Sequence, residues 1–187
     1  MHIVAICGSL RAASCNGGLL RAVARNVPAG HTIDIIVPGD LPLFNQDIEG
    51  PAVVPPTVVE YRKRVKAADA FVFGTSEYNF SISGALKNAI DWASRGPDGN
   101  LFNDKAAASI GAGGGMGSLR AQNHLRDISL FLNLHMMNQP AQYFKIWDQP
   151  SPFDSKTGDL IDPKKEEEIA KFVQSLIAWT ERIAVKN

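Results

Sequence analysis

The chain has 187 residues, 45% of them apolar, enough for one domain with a sizeable core. Its 19 basic and 19 acidic residues give a formal net charge of zero, which argues against nucleic acid as a bulk partner. No run is apolar for long enough to span a bilayer, the start MHIVAICGSLR lacks the regions of a signal peptide, and Cys7 and Cys15 are too few for a disulfide scaffold. The expectation is a cytoplasmic protein with no membrane partner.

In chain order, Ile3 to Cys7 is a continuous apolar run, as a strand buried on both faces requires. Leu19, Leu20, Val23, Ala24 and Val27 follow at helical spacing, and Pro28-Ala29-Gly30 ends that helix. Thr32 to Val37 reads as a second strand. Residues 38 to 56 hold five prolines and two glycines and predict a long irregular connection, the kind that often carries function. Val58 to Ala68 reads as a helix, Ala70 to Gly74 as a third buried strand, and Ala85 to Ala93 as a helix capped by Ser83. Ala106 to Ile110 is a fourth strand, followed by glycines and a helix over Ser118 to Leu132. Leu134 to Met137 is a fifth strand. Ile169, Phe172, Val173, Leu176 and Ile177 form the apolar stripe of a last helix, which starts near Pro163. This alternation predicts an α/β fold, a flavodoxin-like three-layer sandwich with a five-stranded parallel sheet, as one domain over 1–187.

In such a sheet ligands bind beyond the carboxyl ends of the strands, at the switch point of the strand order. Three loops qualify: 8 to 17, 75 to 84 and 111 to 117. The first, within GSLRAASCNGGLL, offers the hydroxyls of Ser9 and Ser14, the fixed charge of Arg11, and Asn16 as a cap for the next helix. A helix N-terminus with an arginine beside it suits a phosphate, although an ordinary capped strand-to-helix turn would also read this way. The loop has no Gly-Lys-Ser/Thr and is not GxGxxG, and the later GAGGGMG has the wrong spacing for a dinucleotide fingerprint. In the second loop Tyr78 and Phe80 stand among amide, hydroxyl and carboxylate groups, which suits covering a flat ring or packing into the core or an interface. The glycines of the third let backbone approach a ligand, or simply loosen a turn.

Together the loops resemble the flavodoxin-like NAD(P)H-dependent FMN reductase family, which includes quinone, azo-dye and chromate reductases. The matching stretches are GSLRAASCNGGLL, LPLFNQDIE, SEYNFSISGALKNAIDWASR and GGGMGSLRAQNHLR, in the family's order. The resemblance implies FMN as cofactor, NADPH or NADH as hydride donor, a quinone, flavin, azo compound or chromate as acceptor, and a homodimer or homotetramer. It implies that Ser9, Arg11, Ser14 and Asn16 hold the phosphate and ribityl start. Glu77, Tyr78 and Asn79 would border the isoalloxazine, with backbone contacts from Ser76, and Gly111, Gly113 and Gly114 would approach its other edge. Ser76 departs from the family, which usually has proline there.

Because the cofactor carries the chemistry, no catalytic side chain is expected. Glu77 reads as a loop carboxylate held by local hydrogen bonds more readily than as a general base. His2, His31, His124 and His135 show no metal-ligand spacing. Cys15, beside Arg11 and a helix N-terminus, is placed where a thiol pKa falls, but redox sensing is the lesser reading, because a bound phosphate there would oppose the thiolate. The alternative function is a non-enzymatic flavodoxin-type electron carrier. Neutral charge argues against that, since such carriers dock electrostatically. Two further readings, a flavin-free phosphate-binding domain and a nicotinamide-only dehydrogenase, predict a protein without flavin.

Overall fold

The computed structural model describes residues 1–184. The strands are β1 (His2–Cys7), β2 (Thr32–Ile36), β3 (Ala70–Gly74), β4 (Glu77–Tyr78), β5 (Ser81–Ile82), β6 (Ala106–Gly113), β7 (His135–Met136) and β8 (Gln142–Lys145). The helices are α1 (Cys15–Arg25), α2 (Pro56–Lys66), α3 (Gly84–Ala93), α4 (Leu119–Leu132) and α5 (Pro163–Ile183). The main sheet runs β2-β1-β3-β6-β7, all parallel, with β8 pairing farther along the same edge of β6. This is the flavodoxin-like strand order, with its switch point between β1 and β3.

The apolar runs divide between two layers by strand alternation. Ile3, Ala5 and Cys7 pack with α1 and α5 residues such as Leu19, Val23, Phe172 and Leu176. Val4 and Ile6 pack with the α2, α3 and α4 layer through Val58, Leu86, Trp92 and Leu125. The same split sends Val72 to the first layer and Phe71 and Phe73 to the second, where both rings meet Phe102.

Two details differ from the sequence reading. The fifth strand position is occupied by two short segments, because the stretch between β7 and β8 contains Pro140, which has no N–H for a ladder. The second loop contains a hairpin, β4 with β5, whose turn residues Asn79 and Phe80 both have positive φ, 51° and 64°. That is the geometry of a two-residue hairpin turn, but Asn-Phe lacks the glycine that usually announces it. The Arg120 guanidinium lies 3.6 Å from the centroid of the Phe80 ring and covers the strained position.

The segment 154–159 packs under the start of α1. Gly18 abuts the Gly158 carbonyl, Gly158 has φ 72°, and Arg21 of α1 donates to the Asp159 carboxylate and to the Thr157 carbonyl. The Arg21 bond, with help from Thr157, holds the Asp159 carboxyl below its usual range. A depressed carboxylate stabilises the fold above its unfolded pKa, about 3.9, and loses that contribution as pH falls through the lower folded value. Asp159→Asn should therefore lower stability at pH 7 by no more than about 1 kcal/mol, the range of exposed pairs. The gap from wild type should close below about pH 4, as read by thermal melts across pH. A gap that persists at pH 2 would mean that the side chain acts through packing instead of charge.

Candidate functional site

The carboxyl ends of β1, β3 and β6 bring three loops together. The first turn is tied to the second loop: the Gly8 N–H donates to the Gly74 carbonyl (2.7 Å), and the Gly8 carbonyl accepts from the hydroxyls of Ser76 (2.8 Å) and Ser83. Ser76, standing where a proline is usual in the family it resembles, therefore fixes its loop by a buried hydrogen bond. The second loop is joined to β6 by Thr75 N–H to Ile110 carbonyl (2.8 Å).

The N-cap of α1 is Ser14, not Asn16. Ser14 Oγ accepts from the Gly17 N–H at 3.3 Å. Asn16 lies one residue inside the helix. Its buried amide pairs both backbone groups of Ala112, donating to the carbonyl at 3.0 Å and accepting from the N–H at 2.9 Å. The Asn16 side chain thus clamps α1 to β6 and is spent on structure. What the start of α1 offers a ligand is its N–H groups: those of Cys15 and Asn16 have no acceptor within the helix and carry the positive end of its dipole.

A pocket of about 260 Å³ opens between the loops. Nine of the expected residues line it: Ser9, Arg11, Ser14, Asn16, Ser76, Glu77, Tyr78, Gly113 and Gly114. Cys15, Ala112 and Ile146 complete the lining. Ile146 was not foreseen, because it follows β8, a strand that periodicity alone did not reveal. Asn79 and Gly111 are not among the lining residues. Asn79 forms the exposed hairpin turn, and Gly111 is buried behind the pocket, where a side chain would overlap Ser118 and the Thr75 carbonyl.

Glu77 has a defined structural partner. One carboxylate oxygen accepts the N–H groups of Arg120 (3.0 Å) and Ala121 (3.1 Å). It caps α4 from the hairpin, since Ser118, at the cap position with φ 68°, makes no side-chain cap bond. The reading of Glu77 as a carboxylate held by hydrogen bonds is what the geometry shows. Glu77→Ala should cost about 1–2 kcal/mol, as loss of a helix cap does, and lower the melting temperature by roughly 3–6 °C. Glu77→Gln, which keeps one carbonyl oxygen, should recover much of that and leave the pH profile of turnover unchanged. A profile that loses one limb in Glu77→Gln would instead assign it proton transfer.

Cys15 corrects another expectation. Burial pushes its thiol pKa up, and the opposing pull of Arg11 is the smaller effect. It is a poor thiolate. Cys7 is pushed up as well, again by burial.

Tyr78, in the lining, is 58% exposed, and Met116 (49%) of the glycine loop and Trp147 (72%) are exposed as well. Trp147 lies against Gly114, whose added Cβ would be 3.0 Å from the indole. The lining combines hydroxyls, an arginine and free helix N–H groups with a glycine wall and an exposed tyrosine, groups that suit a ligand with a phosphate and a flat ring system, and they fit FMN.

A sequence model of the family described as NADPH-dependent FMN reductase matches residues 1–149. The chain is 47% identical over 192 residues to a probable NADPH:quinone oxidoreductase 1 of Oryza sativa subsp. japonica, covering 100% of this chain and 95% of the relative. It is 41% identical to an NAD(P)H-dependent FMN reductase of Pseudomonas aeruginosa, covering 98% and 97%. Among solved structures, the flavoenzyme NAD(P)H:(acceptor) oxidoreductase FerB of Paracoccus denitrificans superposes with a TM-score of 0.84 at 31% identity, covering 97% of each chain.

Proposed function

The chain belongs to the NADPH-dependent FMN reductase family, and from that membership we propose how its own residues carry an FMN-dependent NAD(P)H oxidoreductase activity with a quinone-like acceptor. The observation that supports the residue assignment is the pocket where the three family-matching loops meet around the start of α1. Arg11, the hydroxyls of Ser9 and Ser14, and the free N–H groups at Cys15 and Asn16 hold the FMN phosphate. The glycine wall at Gly113 and Gly114 meets one edge of the ring system. Ser76, Glu77 and Tyr78 border another, with Asn79 shaping the turn that carries Tyr78. Gly111 acts from behind, by letting Ser118 pack closely.

FMN bound there supplies the hydride relay, accepting two electrons from NADPH or NADH and passing them to the acceptor. The chain's part is to bind, orient and admit. Backbone N–H groups of the glycine loop stand where negative charge on the reduced ring would need donors. The opening beside Tyr78 takes the nicotinamide and the acceptor in turn, so the two share one face and the kinetics are ping-pong. Initial rates with NADPH and a soluble benzoquinone should give parallel double-reciprocal lines. Converging lines, the mark of a ternary complex, would reject the shared face. The electron-carrier alternative is not favoured, since the relatives at 41–47% identity and the solved structure at 31% are named oxidoreductases or reductases.

We extend the proposal to a cytoplasmic homodimer or homotetramer. No helix among the described residues is long and apolar enough to cross a membrane. Leu130 and Phe131 on α4 are 81% and 78% exposed, and Phe80 lies on the hairpin that packs on that helix. Apolar side chains this exposed on one helix and its hairpin suit a contact between copies of the chain. Sedimentation should show at least a dimer, and Phe131→Glu should shift it towards monomer; a wild-type monomer would remove this part.

A further inference from the structure

A second cavity, of about 290 Å³, lies on the outer layer between α2 and the end of α3. It shares no lining residue with the flavin pocket. Val58, Val59 and the buried indole of Trp92 supply its apolar wall. Its charged residues are Arg62, Lys63 and Lys66 against Glu49 and Asp98, a balance of one positive charge.

Arg62 is the unusual member. It is 7% exposed. Its Nη1 donates to the carbonyls of Trp92 (2.7 Å) and Arg95, at the end of α3. Its Nη2 is buried and has no hydrogen-bond partner. Among the described residues, His31 Nδ1 is the only other buried side-chain polar atom in that state. Asp98 comes within 3.7 Å of Nη2, too far for a hydrogen bond, and its carboxylate is bonded to Lys66 at 2.8 Å. The guanidinium is thus held by two carbonyls and an ion pair to Asp98 too long for a hydrogen bond, and its Nη2 N–H at the apolar cavity still lacks a close acceptor.

The acceptor such a site selects is planar and anionic, because a guanidinium matches a carboxylate and lysines add attraction. The rest of the ligand must be flat and apolar to lie between valines and an indole, and one or two fused rings is what the volume allows. We propose that the α2–α3 cleft binds a small aromatic carboxylate, with its carboxylate at Arg62 in the place Asp98 approaches without filling, and its ring against Trp92 and Val59. The site is independent of the flavin assignment.

Calorimetry on the FMN-loaded full chain tests this, with 2-naphthoate as probe and neutral 2-naphthamide as control. Arg62 also braces the end of α3, so its removal would confuse folding with binding. Val59, on the cleft and half exposed, is the better site to vary. Naphthoate should bind with a Kd below roughly 1 mM, and the amide at least about tenfold more weakly, as expected for loss of a charge-assisted bond. Val59→Glu should bind naphthoate at least about tenfold more weakly than Val59→Lys, by the same charge argument, with the flavin absorption unmoved. Equal binding of acid and amide, or equal binding by the two variants, would overturn the proposal. A shift of the flavin band on binding would place the probe in the flavin pocket and overturn it too. So would a change in sedimentation confined to Val59→Glu, which would make the cleft a contact between copies of the chain.

Discussion

Arg11→Ala should weaken FMN binding by about 10- to 100-fold while leaving riboflavin binding unchanged. The size follows from the net loss of one hydrogen bond to a charged group, about 1.5–3 kcal/mol. The selectivity follows from position. Arg11 sits on the exposed side of the first turn, beside the start of α1, at the pocket end where only a phosphate would meet it. Arg11→Lys keeps the charge but not the planar fork and should fall between. Being exposed, Arg11 can be removed without disturbing the core, so stability without flavin should hold to within about 0.5 kcal/mol. Fluorescence titrations with the two flavins read the difference directly. An equal loss for both would mean that Arg11 lies near the ring instead of the phosphate.

Gly18→Ala should be the most damaging single methyl group in the chain. A Cβ there would overlap the Gly158 carbonyl, and Gly158 itself is wedged against Ala13 and Ser14. Neither side can give. Gly158 is in the left-handed region, and its neighbour Asp159 is tied to Arg21. The backbone of 154–159 must leave, and with it the support beneath the phosphate turn. Overpacking of this kind costs about 3 kcal/mol at its upper end, or roughly 6–12 °C in melting temperature for a chain of this size. FMN affinity should fall as well, because the N–H groups of Cys15 and Asn16 would no longer be held in place. Gly17→Ala, one residue earlier, would place its methyl 3.3 Å from Arg21 Nη1, a contact relieved by a shift of a few tenths of an ångström, and should be mild. Similar damage from both would mean that the contact with Gly158 is not the cause, since helix propensity alone favours alanine at either position.

The core strands and the three-layer arrangement were legible because buried parallel strands write themselves as unbroken apolar runs between helices. Ile3–Cys7 and Ala70–Gly74 needed no tertiary information. The split fifth strand was not legible. Gln142–Lys145 is four residues of alternating burial with polar ends, a pattern that arises only once β6 supplies an edge to pair with. Missing it hid Ile146. The pocket residues were found because the family's stretches name them, yet side-chain direction was beyond the sequence. Asn16 looked like a cap and turned out to be a clamp on Ala112. Gly111 looked like a ligand approach and is a packing contact. Glu77 read correctly as a structural carboxylate, but its partners, the start of α4, lie 43 and 44 residues away. Cys15 was misjudged because a sequence shows the nearby arginine and not the burial that outweighs it.

The central claim is that the pocket at the start of α1 holds an FMN that NAD(P)H can reduce. The most direct test is an anaerobic absorption spectrum of the FMN-loaded protein before and after one equivalent of NADPH, repeated with NADH. Loss of the oxidised-flavin band within the mixing time of a hand titration, and its return on adding a benzoquinone, is the predicted result. Flavin that stays bound and oxidised with both nucleotides would contradict it.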